Sequence, residues 1–164
     1  FPISFKEWQV ENPAPSKVFD ETPSLKCENC GKELLAQNSK GIIVLWYQEK
    51  QTSNGHFLKD IEEVYWVCKG HCDHILKNTR MQKSWIDSWE DIADIMIPYN
   101  YIRWILGFLN RLKSGGNYTD QAFVKMKTFF INLFPYIARE LSSKEKDRVQ
   151  RLMDIPSWLG GLGE

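Results

Sequence analysis

All four cysteines of the chain fall in two pairs, Cys27-x-x-Cys30 and Cys68-x-x-x-Cys72, with 37 residues between them. No other feature constrains the fold as strongly, because any use of four thiols brings both stretches to one place. They can close two disulfides, share one metal ion, or carry out chemistry. Disulfides require an oxidising compartment, and nothing in the sequence marks the chain for one. A single metal accounts for the spacing better. Two thiolates three residues apart can turn toward one ion, and the glycine after the second, Gly31, permits the tight bend this needs. Cys72 is expected in the first turn of a helix, where aligned amide dipoles favour a thiolate.

The rest of the composition excludes little. Hydrophobic residues make up 43% and charged residues 26%, as in a folded chain of one ordinary domain or of a small module packed on a larger one. Seven tryptophans suit a core built on large rings, with a base-stacking surface as the sharper alternative. The formal net charge is zero, with −1 on residues 1–80 and +1 on 81–164. Non-specific nucleic-acid binders need a cationic excess to neutralise phosphate, so neutrality weighs against that class. No secretory leader and no uninterrupted apolar span of membrane length is visible. This points to an intracellular, cytoplasmic protein with no membrane association. The chain opens on Phe1 with no initiator Met, which is the pattern of a piece of a longer protein.

Along the chain, Pro2, Pro13, Pro15 and Pro23 mark 1–26 as an extended arm. GIIVLWYQEK reads as a strand at about 42–49, Asn54-Gly55 as a hairpin turn, and EEVYWVC as a second strand at about 62–68. After Cys72 the pattern turns helical. Ser84 and Ser88, each followed three residues later by an acid, predict N-caps and a helix over about 88–96. Ile102, Ile105, Leu106, Leu109 and Leu112 predict a helix over about 100–113, stopped by Ser114-Gly115-Gly116. Thr119-Asp120 opens a long helix with a kink expected at Pro135, its core stripe read as Phe123, Met126, Phe130, Leu133, Phe134 and Ile137. Ser143 caps a last helix to about 153. The expected organisation is an arm (1–26), a zinc-binding β-hairpin and helix module (27–80), and a helical region (81–164).

CENCGK, the aromatic strand and CKGHCDHIL together resemble the treble-clef zinc finger, and within that group the MYM and TRASH modules. The resemblance covers about residues 25–77. It implies an α+β fold, with a small treble-clef-like zinc module carrying a β-hairpin, followed by an α-helical bundle region. Cys27, Cys30, Cys68 and Cys72 are the expected ligands of one structural zinc ion, ahead of iron, with His71 the one residue able to replace a cysteine. Four protein ligands leave no position for a catalytic water, so the metal is expected to hold the module together.

Three functions are weighed. A non-catalytic module that binds another protein fits the neutrality and the aromatic helices. Nucleic-acid binding would use Lys69, His71, Lys77, Arg80 and Lys83, interleaved with Trp66 and Trp85. A divergent nuclease of the HNH type would need Asn54, His56 and His74 on one divalent ion, and here Asn54 precedes His56 in the wrong order. Phosphate-loop, nucleophile-elbow and H-E-x-x-H signatures are missing. The acids Glu90, Asp91 and Asp94 read as a solvated helix face.

Overall fold

The computed structural model describes residues 24–36, 38–140 and 143–144. Its elements are β1 (Gly41–Gln51), β2 (Phe57–Cys68), α1 (His71–Arg80), β3 (Ile86–Asp91), α2 (Ile92–Ile95), α3 (Pro98–Lys113) and α4 (Asp120–Glu140). The architecture is mixed α+β: a three-stranded antiparallel sheet in the order β2-β1-β3, with helices on both faces. The 1–26 arm lies outside the described residues except for its last three, and so does the helix expected over 143–153 except for Ser143 and Lys144, which are helical.

β1 is the middle strand, and its run IIVLWY is buried on both faces, which explains why the run does not alternate with polar residues. The hairpin turn forms at Asn54-Gly55, with Gly55 in the left-handed region, but β2 begins five residues earlier than the sequence pattern suggests. The register shifts between Trp46 and Tyr47, which pair with Glu63 and Ile61 and leave Glu62 as a bulge. The backbone groups freed there are taken up by the segment entering α4. The Ile61 amide donates to the Asn117 carbonyl, the Thr119 amide to the Ile61 carbonyl and the Thr119 hydroxyl to the Glu62 carbonyl, while the Gln121 side chain spans both polar groups of Val64. The outer edge of β2 is thereby covered over this stretch.

One sheet face carries Ile42, Val44, Trp46, Tyr65 and Val67 and lies under α1. The other carries Ile43, Leu45, Tyr47, Ile61, Val64 and Trp66 and meets α3 and α4, with Phe129 of α4 packed 6.1 Å from Trp66. One buried cluster takes side chains from both the 27–80 and the 81–164 segments, from Leu25 and Ile43 to Phe129 and Ile137.

The helix expected over 88–96 is not what forms. Residues Ile86–Asp91 pair with β1, from Tyr47↔Ile86 to Ile42↔Asp91, and only Ile92–Ile95 is helical. The acids read as capping partners instead project to the α1 face, where Asp87 meets Lys77 and Asp91 meets Lys69. Pro98 is the first residue of α3, where a missing N–H costs nothing. Thr119 caps α4 by accepting the Ala122 amide. Its buried face is Ala122, Met126, Phe129, Leu133 and Ile137, at helical spacing. The expected stripe therefore needs correction in two places: Phe129 is fully buried and was missed, while Phe134 is 45% exposed. Pro135 sits inside α4, which continues past it. Gly107 sits inside α3 with nothing within 4 Å of where a Cβ would stand, so the helix carries a cost of about 1 kcal/mol relative to Ala with no packing return.

Candidate metal centre

The first pair of cysteines lies on a short turn closed by backbone bonds. The Cys27 amide donates to the Lys32 carbonyl, the Gly31 amide to the Cys27 carbonyl, and Lys26 pairs with Glu33 as an isolated antiparallel bridge. Gly31 holds φ at 77°, in the left-handed region that a side chain resists, so the glycine is what lets the chain reverse after Cys30. Cys68 is the last residue of β2, and Gly70, with φ at 96°, turns the chain into α1. Cys72 is then the second residue of that helix and is buried.

These elements bring all four sulfurs together: the Sγ atoms of Cys27, Cys30, Cys68 and Cys72 lie within 4.8 Å of one another, and Cys30 and Cys68 are 3.7 Å apart. An ion bonded to four thiolates at about 2.3 Å in a tetrahedron sets its sulfurs roughly 3.8 Å apart. The four thiols are free and form the one group of three or more His, Cys, Asp or Glu side chains, among the described residues, placed to hold a metal ion.

The electrostatics of the cluster are those of a donor set without its counter-charge. Burial alone would raise the Cys27 thiol, but the backbone N–H groups of Cys30, Cys68 and Asn29 outweigh it and lower the value from 9.0 to about 6. The Cys68 thiol goes the other way, to about 12, raised first by burial and then by the neighbouring Cys30 and Cys27 sulfurs. At Cys72 the Asn29 side chain favours the thiolate, yet burial together with Cys30 and Cys27 leaves the thiol above its ordinary value. The helix start alone therefore does not make Cys72 the first thiolate. Crowded anions oppose one another, and only a cation lets all four ionise together.

Two residues inside the first pair support the ligands. Glu28 donates its amide to the Trp66 carbonyl, accepts the Trp66 amide on its carboxylate, and pairs with Lys125 of α4, tying the turn to both β2 and the far helix. The Asn29 side chain favours the Cys72 thiolate. Their position between two ligand cysteines is the signal that could have singled them out.

The basic residues proposed for nucleic-acid contact are brought together along α1 and its flanks, but their charges are largely engaged within the chain. Lys69 lies 3.4 Å from Asp91 and over the Trp89 ring, Lys77 lies 3.1 Å from Asp87, and Arg80 grips Glu63 with two nitrogens while stacking on Tyr65. Lys83 lies over the Trp85 ring, and His71 is exposed at the first position of α1. Trp66 is buried, so its ring is not offered for stacking. Glu63 is half-buried beneath Arg80.

The nuclease residues do not converge. His56 is exposed beside the hairpin turn and His74 is exposed on α1. The twelve residues of β2 stand between His56 and the start of α1, roughly 40 Å of extended chain.

Comparison of the chain with protein-family models, with curated proteins and with solved structures finds no match. Among the described residues, no helix is long and apolar enough to cross a membrane.

Proposed function

We propose that the chain is a non-catalytic, zinc-stabilised module that binds another protein. The observation that carries the binding reading is apolar surface left on one face of α4: Val124 is 53% exposed and Ile131 61%, two helical turns apart. Large apolar side chains held on one exposed helix face suit docking to a partner segment.

Zinc is the metal that best suits four sulfur donors in a tetrahedron, and the order of turn, β1–β2 hairpin and α1 supports the treble-clef reading of the MYM and TRASH kind. With four protein ligands the ion is structural. Reduced thiols kept for a metal support an intracellular setting. Nucleic-acid binding through Lys69, His71, Lys77, Arg80 and Lys83 is the second reading. It has less support, because three of those cations hold α1 onto β2 and β3.

The test combines composition and binding. Elemental analysis of reduced protein should give one zinc per chain. A paired Val124→Asp and Ile131→Asp variant should keep its zinc and its melting temperature while losing the proteins that the unaltered chain captures. An identical captured set from both would remove this face of α4 from consideration. Titration with mixed DNA and RNA at low salt should give no affinity, and salt-dependent binding would restore the second reading.

A further inference from the structure

On the sheet face opposite α1, a cleft of about 490 Å³ opens between the strands and α3, within the size range of small-molecule sites. Leu45, Ile61 and Met126 form its apolar floor, and Tyr47, Trp104 and Phe108 bring aromatic rings to its sides.

Its lining carries both signs of charge. Glu90 and Asp94 stand on the β3 side, Lys59 and Arg111 on the β2 side, and Arg103 belongs to α3, its guanidinium 5.8 Å from the centre of the Tyr99 ring. β1 lies between, so the two ends are held about 10 Å apart by strand spacing. Among the described residues, neither Lys59 nor Arg111 enters an ion pair, whereas Lys50, Lys69, Lys77, Arg80 and Lys125 each do. Both cations are nonetheless positioned: Lys59 lies 4.5 Å over the Tyr47 ring, and Arg111 donates to the Tyr118 hydroxyl at 3.0 Å. Arg111 retains further N–H donors for a planar anion.

Gly107 supplies a second, independent observation. It lines the cleft in the interior of α3, and a Cβ there would meet nothing within 4 Å. Neither crowding nor a left-handed backbone accounts for a glycine here. What it does is keep the space above the helix open between Trp104 and Phe108 on one side and the sheet on the other.

We propose that this cleft binds a small aromatic anion of mononucleotide size. Its anionic group sits at Lys59 and Arg111, its ring lies over Gly107 beside Trp104, and its hydrogen-bond donors face Glu90 and Asp94. Burial and the charges of Asp94 and Asp91 raise the Glu90 carboxyl, which fits a group waiting for a donor or able to become one. The site is separate from the thiol cluster and from the exposed α4 face, and it stands or falls without either.

Isothermal titration of the metal-loaded chain with adenosine and guanosine monophosphates tests it, with adenosine and inorganic phosphate as partial ligands. At least one nucleotide should bind saturably, and both partial ligands should bind at least about tenfold more weakly, since each engages one end of the cleft. Gly107→Leu should abolish binding by filling the space, and Gly107→Ala should leave it within about twofold. Lys59→Glu changes an exposed side chain that the core does not need, and should weaken binding more than about tenfold with the melting temperature unchanged. Absence of saturable binding by either nucleotide would overturn the proposal. So would affinity that survives Lys59→Glu, or a folded Gly107→Leu variant that binds as well as the parent.

Discussion

Removing the metal should release the cysteine turn while leaving the sheet standing. Fixing the backbone of the thirteen residues 24–36 costs on the order of 20 kcal/mol. Burying Leu25, Leu34 and Leu35 returns about 2 kcal/mol each. The half-dozen hydrogen bonds that anchor the stretch, including Leu34 amide to Leu25 carbonyl and both bonds between Glu28 and Trp66, return about 1 kcal/mol each. The stretch is thus short by about 8 kcal/mol, which the zinc ion proposed above would supply at about 10–16 kcal/mol. The difference leaves about 5 kcal/mol in favour of the ordered turn, or several thousandfold protection of its amides. The sheet has no such dependence, because Ile43, Val64, Trp66 and Phe129 bury one another without reference to the thiols. Hydrogen exchange read residue by residue, before and after a strong chelator, separates the two. The Cys27, Gly31 and Leu34 amides should lose nearly all protection, and those of Ile43 and Val64 should keep most of theirs. Unchanged protection at Cys27 and Gly31 after verified metal removal would refute the reasoning, as would loss of the sheet at the same chelator concentration.

Other outcomes follow from particular side chains. Phe129→Ala should cost about 3–5 kcal/mol in urea denaturation, while Phe134→Ala should cost about 1 kcal/mol or less, because only the first ring is fully buried. Equal losses would mean the α4 face is misplaced. Arg80→Ala should cost about 1–2 kcal/mol by leaving half-buried Glu63 without its two-point partner, and Arg80→Lys should recover only part of it.

The thiol pairs, the hairpin turn and the long helices were legible because their signals are local: ligand spacing, Asn-Gly, and apolar periodicity within one element. The third strand was not. Ser84 and Ser88, each with an acid three residues on, mimic caps, and what makes Ile86–Asp91 extended is β1, some forty residues away in sequence. The roles of Lys77 and Arg80 were hidden because their partners, Asp87 and Glu63, lie on different strands. On α4 the choice between Phe129 and Phe134 was open because both suit an amphipathic helix, and the sheet decides which one it covers. The cleft was invisible for a related reason, since Lys59, Gly107 and Glu90 come to line one space only once β2 and β3 flank β1 and α3 lies over the sheet.

The four sulfurs are not equally sheltered. Cys27 and Cys72 are buried, Cys68 is partly covered, and Cys30 stands in the open. A reagent arriving from solvent, whether oxidant, alkylator or competing chelator, therefore meets Cys30 first, and what it loosens is the turn that carries the first cysteine pair. Attack on this centre has a built-in order, starting at the turn and reaching the strand and helix ligands last.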